Sequence, residues 1–261
     1  KQVSHLMSLP PETHAAKHAL AERKVEGRLS FQNVGLRYSR KSDPVFLGFN
    51  AEIKRGEIIA VYGGNGSGKS SILRLILGLY PAALGIIRLD DVDHRQFDPR
   101  SLRRQIAYLP QTPELLPGSI AENLRVVNPL APDNKLRQAL LWADAWEMVE
   151  ALPSGMDSNV AEISSGFAAR ICLARLYLSE KSLVLCDELP AQLLNSSTGE
   201  RFRRFLRESR GNRTVIFVTH REDWLLDADQ VIWMKPNGQI SVGKPNPEMK
   251  INNEEQYENR A

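Results

Sequence analysis

The sequence predicts an α/β domain, a mostly parallel β-sheet with helices packed on its faces. Three observations carry this. "GEIIAVY" (56–62) is continuously apolar, as in a strand covered on both sides, and it passes through glycines into "SSILRLILGLY", whose apolar residues recur at helical spacing. "SLVLCDE" (182–188) and "TVIFVTH" (214–220) are further apolar runs of strand length, separated by the helix-like "GERFRRFLRESR". Strands that alternate with helices in this way pair in parallel, because the helix supplies the crossover that a hairpin lacks.

The remaining elements follow along the chain. Residues 1–27 are polar, carry Pro10-Pro11 and then "HAAKHALAERK" without a strong apolar face, and read as a linker. From Arg28, "RLSFQNVGLRY" alternates as a strand with one wet face. Between about Gln111 and Leu178 the patterns are helical, in "KLRQALLWADAWEMVEAL" and in "ARICLARLYL", with little sign of strand. From Pro245 the chain is polar, and no internal repeat interrupts this plan.

Composition narrows the function classes. At 261 residues with 42% hydrophobic and 25% charged content, the chain can bury a large core. The 34 basic residues against 31 acidic ones are spread along the sequence, which argues against a nucleic-acid partner. Cys172 and Cys186 both lie in apolar runs and read as core thiols in a reducing compartment, not as a disulfide or metal pair. The apolar stretches fall short of the roughly 18 residues needed to cross a bilayer, and no signal peptide is visible. The chain opens on Lys1 rather than Met, so an upstream segment is expected.

Chemistry concentrates at Gly63-Gly64-Asn65-Gly66-Ser67-Gly68-Lys69-Ser70, which matches G-x-x-x-x-G-K-[ST], the phosphate-binding P-loop. It stands between a strand and a helix, where backbone N–H groups and the helix dipole can close around the β and γ phosphates of a nucleotide. Lys69 reaches the phosphates, Ser70 offers a hydroxyl to Mg²⁺, and Ser71 follows on the same helical turn. Such a loop needs a carboxylate for the metal and a group to activate water. At the end of "LVLCDE", Asp187 is placed for the first and Glu188 for the second.

With these residues in hand the sequence resembles the ATP-binding cassette (ABC) family, over Arg28 to Gly243. The resemblance implies a P-loop NTPase fold, a RecA-like mostly parallel sheet with flanking helices, joined by an N-terminal antiparallel β subdomain and a helical subdomain at about 112–178. The nucleotide-binding domain would span 28–245, with 1–27 a linker from an upstream transmembrane domain and 246–261 a polar tail. Tyr38 lies where the family stacks an aromatic on adenine. Gln111, in "YLPQTPELLPGSIAENL", resembles the glutamine that joins the metal site to the transmembrane partner, so the implied metal set is Ser70, Gln111 and Asp187. "LLPGSIAEN" is similar to exporter-type cassettes, in particular those of type I secretion and peptide export. His220, in "VTH", stands where the family has a histidine that contacts the γ phosphate.

"ISSGFAARICLAR" (163–175) occupies the place of the family signature LSGGQ but departs from it. Ser164 and Gly166 remain as nucleotide contacts, whereas Ser165 replaces a glycine and Phe167 a glutamine. The loop "LPAQLLNSSTG" (189–199) lacks the Asp that contacts an opposing subunit, and "VAEISSG" leaves almost nothing between Glu162 and the signature. The altered features act across a dimer, and those acting within the chain (Lys69, Ser70, Asp187, Glu188, His220) are intact.

The resemblance therefore implies an ATP- and Mg²⁺-dependent ATPase that pairs with a second nucleotide-binding domain, with weakened signature contacts. It would work at the cytoplasmic face of the inner (plasma) membrane and touch the membrane only through the transmembrane domain. The alternative is a nucleotide-binding regulatory module of an ABC assembly with little or no ATPase activity of its own.

Overall fold

The computed structural model describes residues 23–39, 41–190, 193 and 197–245. Most of the expected linker, the tail 246–261 and five residues of the loop 189–199 lie outside the described residues.

Two sheets form the domain. The larger has the order β10-β9-β3-β8-β7-β6, built from β3 (Ile58–Gly63), β6 (Ile106–Leu109), β7 (Leu183–Cys186), β8 (Thr214–Thr219), β9 (Gln230–Met234) and β10 (Ile240–Gly243). All its pairings are parallel except the antiparallel β9–β10 edge. Every residue of β3, β7 and β8 is buried, which is why these strands read as unbroken apolar runs. Their side chains alternate between two cores. Ile58, Ala60 and Tyr62 of β3 join Val184, Val215 and Phe217 on one face, while Ile59 and Val61 join Leu185, Ile216 and Val218 on the other.

The second core is closed by the helix that follows the P-loop, α1 (Lys69–Ile76), and by a four-stranded antiparallel sheet of order β2-β1-β4-β5. Its strands are β1 (Leu29–Leu36), β2 (Phe46–Ile53), β4 (Leu84–Leu89) and β5 (Val92–Asp93). Asp90 and Asp91 form the two-residue β4–β5 turn with φ of 50° and 67°. The Asp90 carboxylate is buried and accepts the backbone N–H groups of Glu26, Gly27 and Arg28 at 2.7, 3.0 and 2.9 Å. Val25, within the stretch read as linker, is itself buried, and its N–H donates to Gln105 Oε1 at 2.7 Å. Asp90→Ala strands three donors and is expected to lower stability by about 2 kcal/mol, read as a lower urea midpoint, with Asp90→Asn losing less.

The first core is closed by a helical region and by the amphipathic helix before β8. After α2 (Pro99–Arg104), N-capped by Asp98, the helical region comprises α3 (Ile120–Arg125), α4 (Asp133–Trp142), α5 (Trp146–Glu150) and α6 (Ser165–Leu178). The helical pattern over 135–152 folds as two helices. Asp144 takes φ 55° between them, and its carboxylate binds Ser197, Thr198 (3.1 Å) and Arg201 (2.9 Å) at the start of α7 (Ser197–Ser209). Ser119 and Glu122 make a reciprocal capping box that starts α3. Asn123, fully buried in "LLPGSIAEN", donates to the Leu116 and Ser119 carbonyls and accepts from Arg175 of α6. Among the described residues no helix is long and apolar enough to cross a membrane.

Candidate functional site

The parallel order puts the C-terminal ends of β3, β8, β7 and β6 side by side, the edge where open α/β sheets bind ligands. β3 delivers Gly63 so closely against β9 that a Cβ there would lie 2.2 Å from the Met234 carbonyl oxygen. The loop then turns into α1 through Gly68, whose φ of 96° only glycine adopts at no cost and whose Cβ would sit 2.5 Å from Val45. Lys69 curls back over the loop, its Nζ donating to the carbonyls of Gly63 and Gly64 at 2.8 Å each. Burial lowers the Lys69 pKa, and the charges of Glu188 and Asp187 oppose that shift. Ser67 Oγ is buried with no hydrogen-bond partner.

Across from the loop, the Asp187 N–H donates to the Leu109 carbonyl at 2.8 Å and extends the β6–β7 pairing by one residue. The Asp187 side chain is buried, and its Oδ1 accepts the Ser70 hydroxyl at 2.7 Å. Glu188 then takes φ 64°, a left-handed conformation costly for a glutamate and of the kind that clusters at functional sites. Its Oε2 accepts from Gln111 Nε2 at 3.0 Å, and its Oε1 lies 3.3 Å from His220 Nε2 at the end of β8. Lys69, Ser70, Gln111, Asp187, Glu188 and His220, distant in sequence, thus meet in one cluster.

The other expected residues are placed differently. Tyr38 is 41% exposed beside α1, with its hydroxyl 2.7 Å from Ser71 Oγ and its ring edge-on to Tyr80. None of the contacts that knit the cluster includes Ser164 or Gly166, which stand at the N-terminus of α6. Ser164 is the N-cap, accepting the Phe167 N–H at 3.3 Å, and Gly166 faces open space. Phe167 is buried in the first core, so the residue that departs from the signature serves packing.

Two neighbours of the cluster carry little sequence signal. The Tyr108 hydroxyl lies 3.5 Å from Asp187 Oδ2, and burial, reinforced by the Asp187 charge, pushes its pKa up to about 12. Arg74 donates to the Tyr38 hydroxyl at 3.1 Å. Tyr108 precedes Gln111 by three residues, which was its one textual cue, and Arg74 had only its helical spacing from Ser71.

The site fits a magnesium-bound nucleoside triphosphate. The unpartnered Ser67 hydroxyl and the buried Lys69 ammonium suit phosphate oxygens, and Ser70 with Asp187 offers two hard oxygen ligands on facing elements. Among the described residues no group of three or more His, Cys, Asp and Glu side chains could hold a metal by itself.

A glycine-rich phosphate loop facing a strand-end carboxylate pair on a parallel sheet defines a P-loop nucleotide-binding domain. Residues 46–191 match the ABC transporter family, and the chain belongs to that family. It is 33% identical over 246 residues to the ATP-dependent lipid A-core flippase of Neisseria meningitidis, covering 92% of this chain and 39% of that protein. It is 31% identical over 247 residues to the alpha-hemolysin translocation ATP-binding protein HlyB of Escherichia coli, covering 93% and 34%. A bacterial Atm1-family ABC exporter solved with ATP bound superposes with a TM-score of 0.83 at 25% identity, covering 94% of this chain and 43% of that one. The domain is thus an ABC ATPase domain of exporter type. It spans well under half the length of these relatives.

Proposed function

We propose that this chain binds and hydrolyses ATP to drive export by a membrane-spanning partner, as one of two nucleotide-binding domains that close around ATP. The observation that carries this reading is the convergence of Lys69, Ser70, Gln111, Asp187, Glu188 and His220 at one sheet edge. Lys69 and the loop amides bind the phosphates and stabilise the charge that develops on them. Glu188, held from two sides by Gln111 and His220, orients the attacking water and takes its proton, and His220 steadies the γ phosphate. Ser70, Asp187 and Gln111 would hold Mg²⁺, which would supply charge neutralisation to the bound phosphates.

The same reading gives the domain a transmembrane partner and a position at the cytoplasmic face of the membrane, which its likeness to longer exporter proteins supports. The signature supports a further reading, that the contact this chain makes to its partner's nucleotide is weak. Ser165 adds a side chain where close approach to phosphate is needed, and the loop 189–199 carries no acidic residue. In a heterodimer whose other domain has an unaltered signature, the site on this chain's P-loop is the competent one.

Steady-state ATPase rate against protein concentration tests this. The isolated chain is expected to turn over slowly with shallow concentration dependence, and Ser165→Gly to raise the rate several-fold. Phe167→Gln is not the matching repair, because it buries an amide in the first core. Rapid, strongly concentration-dependent turnover by the unaltered chain would count against the weakened contact. The alternative, a nucleotide-binding regulatory module that barely hydrolyses ATP, is not favoured by the relatives named as ATP-dependent, and the Glu188 variant below separates it from the first reading.

A further inference from the structure

Ser71 and Arg74 lie three residues apart on one face of α1, and both reach the Tyr38 hydroxyl, at 2.7 and 3.1 Å. A guanidinium only donates, so the phenol oxygen accepts from Arg74. Either hydroxyl can donate in the Tyr38–Ser71 contact; with the phenolic proton given to Ser71 Oγ, the three groups form one chain that runs from Arg74 to Ser71. A serine whose oxygen is occupied as an acceptor keeps its own proton to give. Ser71 is buried in the first turn of the helix that carries Lys69, directly behind the P-loop, where an anion is the fitting acceptor. The Tyr80 ring, edge-on to Tyr38 with centroids 4.8 Å apart, braces the aromatic side.

We propose that Arg74, Tyr38 and Ser71 form a directional hydrogen-bond relay that fixes the Tyr38 ring to the helix of the phosphate loop and turns the Ser71 hydroxyl proton toward a nucleotide phosphate. The inference rests on the nucleotide reading above and deepens it. Arg74 becomes a positioning residue that touches no nucleotide, and Tyr38 acts through its hydroxyl as well as its ring.

The test is a double-mutant cycle read as the Kd for MgADP, by titration calorimetry on the whole chain. Tyr38→Phe keeps the ring and removes the relay, so affinity is expected to fall about fivefold, and Arg74→Met to fall by a similar factor. Ser71→Ala should fall at least as far, and adding Tyr38→Phe to it should cost less than about twofold more, because both changes break one chain of bonds. Thermal melting of all four proteins should stay close to that of the parent, separating this role from a structural one. Unchanged or tighter binding by Tyr38→Phe, or losses that add fully with Ser71→Ala, would overturn the relay while leaving the nucleotide site standing. Failure of the parent chain to bind MgADP would overturn the nucleotide reading itself, and the relay with it.

Discussion

Lys69→Ala is expected to weaken MgATP binding by at least about a hundredfold without weakening the fold. The ammonium sits over the loop and donates to the Gly63 and Gly64 carbonyls, and charge-assisted bonds from it to phosphate are each worth about 1.5–3 kcal/mol. The stability side follows from linkage. Burial depresses the folded pKa of Lys69, so the protonated folded form carries a cost that is present below that pKa and relieved as pH rises through it. Removing the side chain removes this cost, and the melting temperature without nucleotide should be unchanged or higher. Equilibrium binding of a fluorescent ATP analogue, paired with thermal melting, checks both halves. A variant that binds like the parent would contradict the placement of phosphate at this loop.

Glu188→Gln should leave MgATP binding within about threefold of the parent while hydrolysis falls by roughly two to three orders of magnitude. An amide of the same shape keeps a place between Gln111 and His220 but cannot take a proton from water. The left-handed backbone at 188 is retained, since glutamine meets the same steric cost there as glutamate. Single-turnover release of phosphate separates the chemical step from nucleotide binding. A rate that hardly changes would favour the regulatory reading, in which Glu188 holds structure and does not catalyse.

These expectations could be drawn because the residues with the plainest sequence signals are the ones at the site. The P-loop announces itself by glycines and a lysine between a strand and a helix, and β3, β7 and β8 by being apolar on both faces. What stayed hidden depends on tertiary placement. β6 has only four residues, too few for a period to show. β2 has four of its eight residues exposed, two of them together, Leu47 and Gly48, where the pairing with β1 is irregular. The break at Asp144 follows from carboxylate bonds to α7, more than fifty residues onward, which no local pattern carries. Tyr108 and Arg74 enter the site only because sheet order and helix docking bring them there, and Phe167 shows as core only once α6 is seen packed against the first core.

The claim on which all of this stands is that a triphosphate with its magnesium ion occupies the turn at Lys69, facing Asp187 and Glu188. Titration calorimetry of the unaltered chain with ATP, with and without Mg²⁺, tests it most directly. The account predicts saturable, magnesium-strengthened binding with a Kd below about 1 mM. Folded protein that gives no saturable binding at several times that concentration would contradict it.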